Sequence, residues 1–274
     1  MPTTQLQKAE RFRALHLERR AFVIPNAWDI VSARMLASFG FQALATSSGA
    51  MAATFGRRDG KVTREDALAH CRAIVDATDL PVSADLQKGF ADAPNQVAET
   101  IRLAASVGLV GGSIEDSSGD PSQPIYDIKL ATERVAAAAR AARELPFPFT
   151  LTARAENFLN NRSDLSDTIA RLQAYEQAGA DVLFAPGLPD LAAVQAVCQA
   201  VTKPVNFMVG IKGRSFTVAA LEHCGVRRIS LATSLYRAAM TGLYDAALEV
   251  KERGTFDYLN SSLPNQVLNG CLDP

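Results

Sequence analysis

The sequence predicts an α/β protein: one (β/α)8 barrel of the TIM type spanning residues 1–274. Three observations lead there. Short runs rich in Val, Ile and Phe alternate with longer stretches of helical period. The alternation repeats eight times along the chain. The apolar runs carry so little polar patterning that both faces of each strand must be buried, as in a parallel sheet. Such a barrel takes about 250 residues, and the chain has 274. An open doubly wound sheet is the alternative, but its Gly-x-Gly-x-x-Gly turn is missing after the first strand, where the chain reads Pro25-Asn26-Ala27-Trp28-Asp29.

In chain order, an extra helix near residues 5–20 precedes the barrel. Strands are expected near 21–25, 43–47, 82–86, 112–115, 149–153, 182–185, 205–209 and 228–232. Helices are expected at 30–39, 64–78, 94–107, 128–143, 164–177, 191–200, 216–223 and 235–253. Gly40, Gly108, Gly179 and Gly225 stand where helices end directly before strands, as the left-handed position past a helix favours glycine. Leu80-Pro81 and Lys203-Pro204 stop two more helices. Thr63 and Ser163 stand where helix caps belong. Residues 254–274 are less periodic and read as a tail that packs on a neighbour.

Composition excludes several classes. Apolar residues make up 48% of the chain, enough for a large core, and the net charge of −1 offers nucleic acid no basic field. The N-terminal stretch is polar, unlike a signal peptide. No run approaches the roughly 20 apolar residues of a membrane helix, so a soluble, cytoplasmic protein is expected. Cys71, Cys198, Cys224 and Cys271 form no Cys-x-x-Cys pair and read as free thiols in a reduced compartment. Three histidines are too few for a His-rich metal centre unless all converge. His16 and His70 read as solvent-facing or structural, and His223 as a helix-ending cation. Trp28 reads as packing.

In a barrel of this type, chemistry sits just past the C-terminal strand ends. Those positions hold Asn26 and Asp29; Ser47, Ser48 and Gly49, then Asp59; Asp85 and Gln87; Glu115 and Asp116; Arg154 and Glu156; and Asn206. Asp85 ends Val-Ser-Ala-Asp, where a buried strand should stay apolar, and Glu115 repeats the anomaly in Gly-Ser-Ile-Glu. A buried carboxylate needs a cation or strong donors. Oxygen ligands without His or Cys favour Mg²⁺ or Mn²⁺ over Zn²⁺. Pairing of both acids with Arg154 is the structural alternative. The Ser47-Ser48-Gly49 turn offers hydroxyl and backbone donors suited to a carboxylate or phosphonate, and Arg154 a planar bidentate donor.

The runs Ala45-Thr46-Ser47-Ser48-Gly49-Ala50-Met51, Gly56-Arg57-Arg58-Asp59, Pro81-Val82-Ser83-Ala84-Asp85, Gly112-Ser113-Ile114-Glu115-Asp116 and Thr152-Ala153-Arg154-Ala155-Glu156 resemble the isocitrate lyase / phosphoenolpyruvate mutase superfamily, in order and over nearly the whole chain. The resemblance implies Mg²⁺ (or Mn²⁺) near Asp85, with Asp59, Gln87 and Glu115 reaching the metal mostly through water. It implies a 2-oxo acid or its enolate on that metal, with Ser47, Ser48, Gly49, Arg154 and Asn206 holding the substrate. Arg154, Glu115 and Asp59 are the catalytic candidates. It also implies a homo-oligomer, a dimer of dimers in which the C-terminal barrel helix swaps between subunits.

Two departures stand out. Family members usually carry Asp or Glu where this chain has Gln87, followed by Lys88, which predicts a weaker or differently hydrated metal site. The segment after strand four, Ser117 to Tyr126, has none of the Cys and His of the methylisocitrate lyase lid. The expected function is a Mg²⁺-dependent lyase on a small 2-oxo or 2-hydroxy dicarboxylate, working by C–C cleavage or decarboxylation through a metal-stabilised enolate. Tyr126 or water is expected to supply the proton. Phosphoenolpyruvate mutase or phosphonopyruvate hydrolase chemistry is one alternative, and a non-catalytic 2-oxo acid-binding barrel is another.

Overall fold

The computed structural model describes residues 3–272. Its strands are β1 (Phe22–Ile24), β2 (Asn26–Ala27), β3 (Leu44–Thr46), β4 (Val82–Asp85), β5 (Gly111–Glu115), β6 (Thr150–Arg154), β7 (Val182–Phe184), β8 (Val205–Met208) and β9 (Arg228–Ser230). All pair in parallel, in the order β1-β9-β8-β7-β6-β5-β4-β3-β2. The first expected strand is two segments because Pro25 interrupts it. A proline has no N–H for a ladder, so β1 pairs with β9 while β2 pairs with β3. Asn26 bridges the seam: its amide donates to Thr46 O and accepts from Leu231 N. The barrel is thereby closed as an eight-strand ring with one broken stave.

The helices are α1 (Gln5–Leu17), α2 (Ile30–Ser38), α3 (Ser48–Thr54), α4 (Arg64–Asp76), α5 (Pro94–Ser106), α6 (Ile128–Arg143), α7 (Leu165–Ala178), α8 (Leu191–Ala200), α9 (Val218–His223), α10 (Ser234–Arg253) and α11 (Asn265–Leu272). Side-chain caps start them where short polar residues stand: Asp29, Thr63, Asp127, Asp190 and Thr217 each accept a backbone N–H from the first turn. Helix α7 opens one residue later than expected, so its cap is Asp164 rather than Ser163. Gly40, Gly108, Gly179 and Gly225 all take positive φ.

Helix α1 plugs the N-terminal end of the barrel. Ala9, Phe12 and Leu15 pack against Phe22, Ile24, Ala43 and Val110. The plug fits because Gly111 has no side chain: a Cβ there would lie 2.8 Å from the Phe12 ring. With that end filled, the C-terminal mouth is left as the open face.

Two helices were not foreseen. α3 begins at Ser48, inside the Ser47-Ser48-Gly49 turn that the sequence suggests as a carboxylate or phosphonate site. α11 lies in the tail, and it folds back on its own chain: the Leu272 carbonyl accepts from Arg34 Nη1 of α2. α10 behaves differently from the other barrel helices. Of its 20 residues only Glu249 is buried, and Leu243 and Tyr244 are more than half exposed.

Candidate active site

The mouth is built by strand ends. Asp85 closes β4, Glu115 closes β5 and Arg154 closes β6, with Glu115 and Arg154 in direct register. Side chains alternate along a strand, so these three share the inner face with Ser83, Ser113 and Thr152 one step below. Arg154 Nη1 lies 3.0 Å from Asp85 Oδ1 and 3.2 Å from Glu115 Oε2, and its Nη2 lies 2.8 Å from Glu156 Oε1. The guanidinium also rests over the Phe184 ring, 5.0 Å from its centre. The ion pair named as the structural alternative is therefore present.

Asp85 is held tightly. Ser48 N donates to its Oδ2 at 3.2 Å, and Gln87 N to its Oδ1 at 3.2 Å. Thr46 Oγ1 accepts the Asp85 N–H. Asp59 reaches in from the loop after α3; the residue is exposed as a whole, but its carboxyl turns inward. It accepts from Ser48 Oγ at 3.3 Å and from Gln87 Nε2 at 3.1 Å. Gly49 lets it approach, since a Cβ there would stand 3.3 Å from Asp59 Oδ2. Ser47 caps α3 by accepting from Ala50 N.

Three carboxylates thus pair with one guanidinium, and a fourth, Asp59, stands beside Ser48 and Gln87. Burial raises the Glu115 carboxyl pKa well above the usual range; Arg154 opposes the shift, and Glu156, Asp85 and Asp59 reinforce it. Burial raises Asp59 as well, with Asp85 adding to it. Burial alone would lower the Arg154 pKa, but Glu156, Glu115 and Asp85 hold it above its ordinary value. The ring is short of positive charge.

This donor set fits a hard divalent cation. It offers carboxylate oxygens and the free amide oxygen of Gln87, with neither His nor Cys. No group of three or more acidic, His or Cys side chains among the described residues already surrounds one point.

The cavity is about 200 Å³ and is lined by Ser47, Ser48, Gly49, Asp59, Asp85 and Arg154, with Leu159 and Phe184 as an apolar wall. Other expected residues have different partners. Asn206 is buried behind the wall, donating to Ser230 Oγ and accepting from Arg228 Nε. It does not line this cavity. Asp29 caps α2. Asp116 is buried and accepts from Arg171 Nη1, Tyr175 OH and Glu156 N, locking β5 and β6 to α7. Tyr126, the expected proton donor, donates to Asp92 in the loop after β4. Lys88 also binds Asp92 and the Ser118 carbonyl, so its charge is directed to the segment after β5 and not to the acid cluster. His16 is buried between the Phe12 and Phe22 rings, and His70 bonds to the Trp28 carbonyl. Arg228, which lines the cavity, was missed. The signal was available: a charged residue inside an apolar strand, the same anomaly that marks Asp85.

Fold and site define a parallel α/β barrel whose C-terminal mouth gathers acids around one arginine. The chain belongs to the phosphoenolpyruvate phosphomutase family, whose model matches residues 12–251. A solved structure from Burkholderia cenocepacia J2315, assigned only as a lyase or mutase, is 51% identical with a TM-score of 0.95, covering 97% of this chain and 95% of that one. An uncharacterised protein of Mycobacterium tuberculosis is 30% identical over 262 residues, 95% of each chain. A 2-methylisocitrate lyase of Halalkalibacterium halodurans is 27% identical over 259 residues, covering 93% of this chain and 85% of the relative. The superfamily resemblance read from the sequence is borne out. Among the described residues, no helix is long and apolar enough to cross a membrane.

Proposed function

We propose that the protein is a Mg²⁺- or Mn²⁺-dependent carbon–carbon lyase acting on a small 2-oxo or 2-hydroxy dicarboxylate. The observation that carries this reading is the cluster of Asp85, Glu115 and Glu156 around Arg154, with Asp59 beside Ser48 and Gln87, an excess of acidic groups over cations at the rim of a cavity sized for a few carbons. Asp85 would hold the metal, with Asp59, Gln87 and Glu115 around it. When bound, the ion supplies Lewis-acid stabilisation for negative charge developing on a neighbouring oxygen.

The chain's own groups do the rest. Ser48 and Gly49 stand in the first turn of α3, where backbone N–H groups lack helical partners; the Ser48 N–H is taken by Asp85, so the Gly49 N–H and the Ser48 hydroxyl orient the substrate carboxylate with Arg154 and the Ser47 hydroxyl. Such positioning converts an encounter into a bound, near-reactive geometry. Leu159 and Phe184 exclude water. Decarboxylation needs no acid for its leaving group, which fits a lid without Cys or His. With Tyr126 committed to Asp92, a water molecule is the proton source. The free cysteines fit a reduced cytoplasm. The exposed faces of α10 fit its exchange between subunits in a dimer of dimers.

The family model gives P–C bond chemistry a claim as the second reading. The lid, Ser117 to Tyr126, has no Lys, Arg or Asn for a phosphoryl group, which ranks it lower; phosphate release from phosphonopyruvate would favour it.

Thermal melting tests the main reading. Oxalate at a hundred times its dissociation constant should raise Tm by about 5–10 °C, and only with Mg²⁺ or Mn²⁺ present. Asp85→Ala should abolish both that shift and turnover of oxaloacetate. Normal turnover in Asp85→Ala would rule out a metal held by Asp85.

A further inference from the structure

Arg228 opens β9 on the inner face of the barrel and is 5% exposed. Its Nε donates to Asn206 Oδ1 at 2.8 Å, and Asn206 in turn donates to Ser230 Oγ at 3.0 Å. Among the described residues, that amide oxygen is its one side-chain hydrogen-bond acceptor. Nη1 is enclosed without a partner. No carboxylate lies within ion-pairing distance of Arg228 among the described residues. The other buried Arg and Lys side chains are better served: Arg171 has Asp116 and Asp167, Arg134 has the carbonyls of Lys88, Ala91 and Asp92, and Lys8 has the Thr78 carbonyl.

A buried charge without an anion is costly. Burial, with Arg154 nearby, pushes the Arg228 pKa down to about 9, which still leaves it protonated at neutral pH. Barrel interiors are usually filled by Val, Ile and Leu. Here the inner layer around Arg228 is Ser83, Ser113, Ser230 and Asn206, with Thr152, whose hydroxyl also lacks a partner. Arg228, Ser83, Ser113 and Ser230 line the same cavity as Asp85, Ser48 and Arg154. The cavity therefore has a cation at each end: Arg154, neutralised by its acids at the rim, and Arg228, unneutralised at the floor.

We propose that Arg228 is a second anion anchor and sets substrate specificity. The rim holds the carboxylate next to the 2-oxo or 2-hydroxy group; the floor receives a second anionic group at the other end of the same small molecule. Asn206 is a positioning residue that fixes the guanidinium through Nε and leaves Nη2 for the ligand, with Nη1 enclosed beside it. The inference rests on the metal-dependent 2-oxo acid reading of this cavity. It narrows the substrate class to compounds anionic at both ends, carboxylate or phosphonate, and excludes simple 2-oxo monocarboxylates. At about 200 Å³, below the roughly 300–1,000 Å³ of drug-sized pockets, the space suits a compound of about this length.

Calorimetric titration of the full chain in Mg²⁺ tests this. Oxalate probes the rim alone; 3,3-difluorooxaloacetate and phosphonopyruvate reach the floor with a carboxylate and a phosphonate respectively. Arg228→Met should leave oxalate affinity within about threefold and weaken the longer ligands by about 10- to 100-fold, the worth of a charge-assisted hydrogen bond. Arg228→Lys should recover part of that loss. Whichever longer ligand loses more identifies the second group as carboxylate or phosphonate. Equal losses for oxalate and the longer ligands, or none for either, would show that Arg228 merely holds the barrel and would overturn the inference alone. If Arg228→Met does not fold, the native protein decides: difluorooxaloacetate binding no more than about threefold tighter than pyruvate, which lacks the far carboxylate, overturns it. A native protein that binds no oxalate with Mg²⁺ overturns the reading of the rim, and the floor's role with it.

Discussion

Gln87 is the amide beside the acid cluster, at the position where the superfamily resemblance leads one to expect an acid. Its side chain donates to Asp59, and its backbone sits at φ +52°, a left-handed position that non-glycine residues seldom adopt. Ala232, also in the cavity wall, is at φ +47°. Strained backbone of this kind persists only where the surroundings hold it, and it clusters at functional sites. The amide relieves repulsion in the ring but gives a bound cation less charge. Gln87→Glu should therefore tighten Mg²⁺ by about tenfold, roughly 1.4 kcal/mol, while lowering the melting temperature of the metal-free protein. Metal titration followed by calorimetry and melting reads both effects; unchanged Mg²⁺ affinity would place position 87 outside the metal's surroundings.

At the scale of the element, α1 illustrates how a helix outside the eightfold repeat supports the site. It seals the end opposite the mouth, and His16 sits in the seal with Nδ1 against the Phe12 carbonyl. Burial pushes the His16 pKa down to about 3, with Arg228 adding to the effect. A histidine kept neutral by folding, but free to protonate when unfolded, contributes stability above its unfolded pKa of about 6.5. That stability is lost as pH falls toward the folded value. Between pH 7 and pH 5 the loss is about 2 kcal/mol. Urea unfolding of His16→Leu at the two pH values should show a drop smaller than the native protein's by about that amount. Parallel drops would mean that His16 titrates normally.

The whole molecule leaves α10 largely uncovered. Met240, Leu243, Tyr244 and Val250 present apolar surface to solvent, while the turn after the helix is anchored by Glu249, which accepts from Thr255 Oγ1, Asp257 N and Tyr258 N. Leu235 and Tyr236 at the start of the helix pack on their own chain, but the exposed apolar residues further along it are accounted for by the proposed exchange between subunits. Sedimentation should find an oligomer, and Leu243→Glu with Tyr244→Glu should shift it toward monomer. A native protein sedimenting as a monomer would refute the exchange.

The sequence alone determined the barrel, because hydrophobic period, helix-ending glycines and capping residues are local signals that report each element separately. It also marked Asp85, Glu115 and Arg154, since a charged residue at the end of an apolar strand is anomalous wherever the strand lies. Only the tertiary structure decided how those charges share partners. It split the first strand at Pro25, started α3 at Ser48, sent Tyr126 and Lys88 to Asp92, and set Asn206 behind the wall to hold Arg228. Each outcome depends on which residues from distant strands meet at one level of a closed, tilted barrel. That level follows from the stagger between strands, a long-range property that no local pattern carries.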